Sequence, residues 1–137
     1  LLDECLLLNL KKFGDRRGFL TPIDQDDSLP FTIRRLFYLY DIPGGADRGG
    51  HAHKTCHQLI VAVLGSFEVV VTDGSTNKTF RLDRASTGLY IPPSLWSSLV
   101  NFSSGAICLV LTSELFDESD YIRDFSDYLK FRTLPQC

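Results

Sequence analysis

Short runs of apolar, aromatic and β-branched residues, each closed within a few positions by glycine, proline, aspartate or asparagine, follow one another along most of this chain. That rhythm is the signature of strands joined by tight turns. Residues 6–13 read as a first strand ended by Gly14-Asp15. Residues 18–24 read as a short second one at a sheet edge, since Pro22 has no ladder donor. Residues 31–40 are rich in aromatic and β-branched side chains, and Ile42-Pro43-Gly44-Gly45 closes them with turn chemistry. Further strands are expected over residues 51–53, 58–64, 67–72, 78–82, 88–91, 97–102 and 106–112, with turns at Gly65-Ser66 and Asp73-Gly74. Only the end reads as helix. Tyr121, Ile122, Phe125, Tyr128 and Leu129 recur at helical spacing behind a cap at Asp117 or Ser119. Strand after strand with one terminal helix predicts an all-β sandwich or barrel.

The chain has 137 residues, enough for one domain with a proper core, and residues 1–137 are read as that domain. A net charge of -3 offers no general attraction to nucleic acid or to an anionic membrane. The longest apolar run, residues 59–65, has strand length and falls far short of the roughly 20 residues of a spanning helix. Cys5, Cys56, Cys108 and Cys137 are widely scattered, with no CxxC or CxxH pair. In a domain with an ample core they read as mostly buried free thiols of a reducing cytoplasm, not as a disulfide framework. No basic n-region marks a secretory signal. The chain starts at Leu1 and contains no methionine, as expected of a sequence lacking its natural start or of one domain of a longer polypeptide.

Chemistry concentrates in Arg48-Gly49-Gly50-His51-Ala52-His53, which carries two of the three histidines. On a strand, side chains at i and i+2 share a face, so both imidazoles are expected in one cavity. Groups that titrate near neutral pH and converge on one pocket suit metal binding or proton transfer. His57 adjoins Gln58 and is expected to face the other way.

The spacing His51-x-His53, then Gln58, then Gly65 resembles the first signature of the cupin barrels, which has a glutamate where this chain has Gln58. The second cupin signature resembles the stretch from Pro92 to Asn101, with Ser97 at its histidine position. A metal-binding cupin uses two histidines, the glutamate and the late histidine. Two imidazoles with a neutral amide and a hydroxyl make no tight divalent-cation site, and no metal is expected.

The resemblance extends over nearly the whole chain, roughly residues 8–131. Arg34 to Asp41, Arg48 to Lys54, Asp73-Gly74, Gly88 to Pro93, Trp96 and Tyr121-Ile122-Arg123 are similar to the sugar 3,4-ketoisomerases. These are small WxcM-like cupins that act on dTDP-4-keto-6-deoxyglucose. The chain departs from them at Gly50, where an aromatic is usual, and at Phe37, where paired tyrosines are common. Tyr38 or Tyr40 is left to supply a hydroxyl. The resemblance implies a jelly-roll cupin barrel with a C-terminal helix, a homodimer, and a cofactor-free isomerase of dTDP-deoxysugar biosynthesis. His51 and His53 become the catalytic pair, one for carbon protons and one for protons among the oxygens.

The substrate-binding candidates are Arg17, Arg35, Tyr38, Arg48, Gln58 and Trp96. Arg17, in a turn similar to the Asp-x-Arg-Gly of related nucleotide-sugar cupins, is expected to grip the diphosphate through its guanidinium fork. Arg35 lies in an apolar strand, where an unpaired charge is costly, so it needs a substrate oxygen or a carboxylate. Trp96 is a stacking platform for sugar or base, or a core residue. Tyr121 and Arg123 are expected to open the helix and fix its docking. The rival readings are a nucleotide-sugar 3,5-epimerase, a non-catalytic sugar-binding cupin and a metal-dependent oxygenase. The first typically pairs one histidine with a tyrosine, and the last is disfavoured by Gln58 and Ser97.

Overall fold

The computed structural model describes residues 1–26 and 28–134. It contains two five-stranded antiparallel sheets and a separate two-stranded hairpin. In chain order the strands are β1 Leu6–Asn9, β2 Phe13–Asp15, β3 Gly18–Leu20, β4 Arg35–Leu39, β5 Arg48–His53, β6 Gln58–Leu64, β7 Phe67–Thr72, β8 Asn77–Leu82, β9 Thr87–Ile91, β10 Trp96–Val100, β11 Ile107–Thr112 and β12 Tyr121–Ile122; a single α-helix, α1, spans Phe125–Thr133. The first sheet runs β1-β9-β6-β11-β4 and the second β12-β5-β10-β7-β8. Alternation along each strand sends one set of side chains between the sheets. There Ile60, Phe67, Val69, Val71, Leu82, Leu89, Ile91 and Cys108 are buried in one core. This is the expected cupin barrel.

The outer face of the first sheet is apolar as well. Leu59, Val61, Tyr90 and Leu111 are covered there by Leu29 and Phe31 from the N-terminal third of the chain. His57 belongs to this outer side, as expected, with Nδ1 2.7 Å from the Tyr90 hydroxyl and its ring stacked on Phe31.

Several local expectations change. The run over residues 6–13 is broken: β1 pairs with β9, whereas Phe13 begins β2 and pairs with Leu20 in the hairpin. The strand expected to reach residue 24 stops at Leu20. The terminal helix begins only at Phe125, because Asp124 is its cap and accepts from the Asp127 amide at 3.0 Å. Asp117 instead caps a 3-10 turn over Glu118–Asp120, so Tyr121 and Ile122 are strand residues paired with His53 and Ala52. Cys5, Cys56 and Cys108 are buried free thiols, and Cys137 lies outside the described residues.

The helix docks on the outer face of the second sheet. Tyr128 is fully buried, and its hydroxyl donates to the Ser94 carbonyl at 2.8 Å, shared with that of Thr72 at 3.1 Å. Trp96 packs against Phe125 and Tyr128 in this layer.

Candidate active site

A cavity of about 230 Å³ opens at one end of the barrel, walled by β4, β5, β6, β10, β11 and the β12 segment. Arg35, Phe37 and Leu39 line it from β4, Arg48 and His51 from β5, Gln58 and Ile60 from β6, Ser97 and Leu99 from β10, and Tyr121 and Arg123 from the C-terminal segment. Strand parity explains most of this set, since residues two apart share a face.

Arg48 and His51 are the exception. They are three apart, and on a regular strand would face opposite ways. Opposite them the pairing runs His51 to Ser97 and Arg48 to Leu99, so three steps on β5 answer two on β10. This is a β-bulge, and Gly49-Gly50 lie within it, where glycine is the residue that tolerates the distortion. The bulge restores Arg48 to the face of His51.

The two histidines are not equivalent. Their rings meet edge to face with centroids 4.9 Å apart. His51 is half-buried and lines the cavity. His53 is buried behind it, with Tyr121 against its ring at 4.4 Å. Its Nδ1 lies 2.9 Å from Oδ2 of Asp120, itself buried. Burial holds the His53 pKa below the ordinary histidine value, against the opposing pull of Asp120. Burial alone would raise Asp120, but hydrogen bonds from His53 and Thr55 prevail and hold it below the usual carboxylate range. At neutral pH the pair is therefore a neutral imidazole donating to a carboxylate.

Arg35, Arg48 and Arg123 supply the fixed positive charge of the wall. Arg123 is clamped by Glu118 at 2.6 and 2.9 Å and lies over the Tyr121 ring. Arg35 lies over the rings of Phe37 and Phe116 at 4.6 and 5.3 Å. Among the described residues, neither Arg35 nor Arg48 has a carboxylate partner, and no acidic side chain lines the cavity. Gln58, buried at 7% exposure, also reaches the cavity wall.

Besides His53, which lies behind the lining and not in it, three of the expected substrate-binding residues lie outside the cavity. Tyr38 points out of the barrel and is 57% exposed, because Arg35, Phe37 and Leu39 occupy the inward positions of β4. Trp96 neighbours the inward-facing Ser97 and must face outward, under the helix. Arg17 lies on the exposed β2–β3 hairpin, clamped to Asp15 at 2.7–3.2 Å. Conversely, Tyr121 and Arg123, expected at the opening of the helix, line the cavity. Asp120 carries no local signal of its role, being 67 residues from its partner His53.

The cavity's own donors, one imidazole with a neutral amide and a hydroxyl, do not fit a tightly held divalent cation. Behind the cavity, His53, Cys56 and Asp120 bring ligand atoms within 4.8 Å of one another. There the imidazole and carboxylate already satisfy each other, and burial raises the thiol pKa.

Comparison with known proteins decides the lineage. The family model described as "FdtA: WxcM-like, C-terminal" matches residues 3–133. This chain belongs to that family. Over 128 residues, 93% of the chain and 92% of the relative, it is 38% identical to a TDP-4-oxo-6-deoxy-alpha-D-glucose-3,4-oxoisomerase of Aneurinibacillus thermoaerophilus. Its fold superposes with a TM-score of 0.91 on a 3,4-ketoisomerase from Helicobacter canadensis, at 37% identity, covering 94% of this chain and 97% of that one. The TM-score is 0.92, at 34% identity and 96% coverage of each chain, for a variant of the 3,4-ketoisomerase QdtA from Thermoanaerobacterium thermosaccharolyticum, crystallised with TDP-4-keto-6-deoxyglucose.

Proposed function

We propose that this WxcM-like protein moves the ketone of dTDP-4-keto-6-deoxyglucose from C4 to C3, as a step of dTDP-deoxysugar biosynthesis in the cytoplasm. The proton on C3 is acidified by the neighbouring carbonyl. Its removal leaves an enediolate with its charge on O4; the O3 proton passes to O4, and C4 takes a proton as the C3 carbonyl forms, which completes the exchange. No electron leaves the substrate, so no redox cofactor is required. The reaction needs a base and an acid working near neutral pH, and two imidazoles provide both.

The observation that carries this reading is the meeting of His51 with an arginine-rich cavity free of lining carboxylates. Such a wall favours an anionic diphosphate before reaction and an anionic enediolate during it. His51 lines the cavity and handles the carbon protons; His53, one ring behind, serves the proton that moves between the oxygens. At about 230 Å³ the cavity is smaller than the usual pocket for a drug-sized ligand. It takes the sugar with the adjoining diphosphate at Arg35, and the nucleoside lies across the mouth, where Arg48 is exposed.

One further proposal follows from exposed surface. Phe13, Phe19 and Leu20 of the hairpin are 58%, 72% and 61% exposed, and Leu36, Tyr38 and Val63 extend an apolar surface over the outer face of the first sheet. A second copy of the chain covers this surface in a homodimer. The cytoplasmic placement accords with the three buried thiols, and no described helix is long and apolar enough to cross a membrane.

The test is incubation with dTDP-4-keto-6-deoxyglucose in D₂O with EDTA present, the ring protons being followed by NMR. The 3-keto isomer is expected, with deuterium at C4. Loss of turnover on chelation, restored by Zn²⁺, Mn²⁺ or Fe²⁺, would overturn the metal-free chemistry. Exchange at C3 and C5 with inversion would make the protein an epimerase.

A further inference from the structure

Asp120 reaches His53 from the position just before β12, the strand that pairs with the end of β5. The 3-10 turn Glu118–Asp120 delivers it, and it is tied to the end of β5 at three successive residues. Its Oδ2 meets His53 Nδ1 at 2.9 Å, its Oδ1 accepts from the Thr55 amide at 2.8 Å and hydroxyl at 2.9 Å, and its backbone carbonyl accepts from the Lys54 amide at 2.9 Å. The Thr55 hydroxyl also lies 2.9–3.0 Å from the carboxylate of Glu114. Asp120 is 8% exposed and His53 5%, so water does not compete for these bonds.

We propose that Asp120 is a positioning residue of the reaction: it holds His53 with the proton on Nδ1 and so makes Nε2 the nitrogen that exchanges protons. An ionised carboxylate only accepts hydrogen bonds, so a nitrogen 2.9 Å from it carries the hydrogen. The Nε2 lone pair is then the only site on the ring open to a proton. When Nε2 takes one, the imidazolium is balanced by the carboxylate at the opposite nitrogen. The charge is thus met within the buried pair and not by water. The other groups facing His53 are the rings of His51 and Tyr121, the thiol of Cys56, and the more distant charges of Glu114 and Arg123. None of these is an acceptor bonded to Nδ1.

Asp120→Asn inverts the arrangement at almost constant volume. The Thr55 amide can only donate, so it keeps the oxygen of Asn facing Thr55. The amide nitrogen is then turned toward His53 Nδ1, which must accept, and the proton moves to Nε2. For a residue that merely staples the C-terminal segment to β5, the same inversion would leave turnover unchanged.

The experiment is ¹⁵N NMR of histidine-labelled protein at neutral pH, read through the two-bond couplings of the ring nitrogens. With three histidines in the chain, the His53→Asn spectrum assigns the signal. The wild-type protein is expected to show His53 protonated on Nδ1, and Asp120→Asn to show it protonated on Nε2. With the 4-keto sugar as substrate, kcat of Asp120→Asn is expected to fall by about 10²- to 10⁴-fold, with KM changed by less than about 3-fold. An Nε2–H tautomer in the wild type overturns the proposal, and needs no variant to be seen. Full turnover of an Asp120→Asn protein whose tautomer has inverted overturns it too. The kinetic arm rests on the proposed isomerisation, whereas the tautomer is read without substrate, so failure of one is distinguishable from failure of the other.

Discussion

Arg35→Ala tests where the diphosphate is held. In the free protein the Arg35 guanidinium is met by the faces of Phe37 and Phe116, at 4.6 and 5.3 Å, and by no carboxylate among the described residues. On the proposed function its charge serves the substrate's diphosphate. A forked, charge-assisted hydrogen bond to a phosphate is worth about 1.5–3 kcal/mol, or about 10- to 150-fold in affinity. The ring contacts are each worth about 0.5–1 kcal/mol at a partly exposed site, so stability should fall by no more than about 1–2 kcal/mol. Calorimetric titration with dTDP, which has no reacting sugar, isolates the binding effect. Arg35→Ala should lose affinity by that factor, and Arg35→Lys should recover only part, since an ammonium cannot fork onto two oxygens. The kinetic loss should fall mainly on KM, because the diphosphate is remote from the reacting carbons. Unchanged dTDP affinity in Arg35→Ala would refute the assignment and move the phosphate site toward Arg48.

Further expectations concern the histidines and the helix. His51→Asn should lower kcat by at least about 10²-fold with the fold intact, and turnover near the wild-type rate would demote it to a wall residue. Tyr128→Phe removes a buried donor from the Ser94 and Thr72 carbonyls and should cost about 1–3 kcal/mol in urea unfolding; a loss below a few tenths would show these carbonyls to be satisfied otherwise. His53 and His57 have folded pKa values lowered from 6.5, chiefly by burial, so below about that pH the unfolded chain binds more protons than the folded one. Stability should thus be full above 6.5 and decline as pH falls toward the lowered folded values, which urea melts between pH 5 and 7.5 would follow; a flat or rising profile would contradict the burial effect.

Much of the barrel can be read directly from the residues. The runs over residues 58–64 and 67–72 are the strands found, because a strand's side chains repeat every two residues and Gly65, at φ 71°, breaks the run where glycine alone sits without strain. The same alternation brings His51 and His53 together, and separates His57 from them. It also bears on Tyr38 and Trp96. Once Arg35 faces inward, Tyr38, three positions on, cannot; once Ser97 stands at the position of a cavity ligand, its neighbour Trp96 cannot. Strand parity by itself is enough to exclude both from the cavity.

What the sequence determined by itself was therefore local: strand positions, the shared face of the two histidines, and a pattern similar to one enzyme family. Three features of the site depended on the tertiary structure. The bulge that turns Arg48 to the face of His51 exists only in the pairing of β5 with β10. Tyr121 and Ile122 look helical by spacing, but pairing with His53 and Ala52 makes them a strand and brings Tyr121 and Arg123 to the wall. Asp120 meets His53 only because the sheet closes a separation of 67 residues. Periodicity reports what a residue does relative to its near neighbours. Which distant group completes its hydrogen bonds is decided by how the sheets pair.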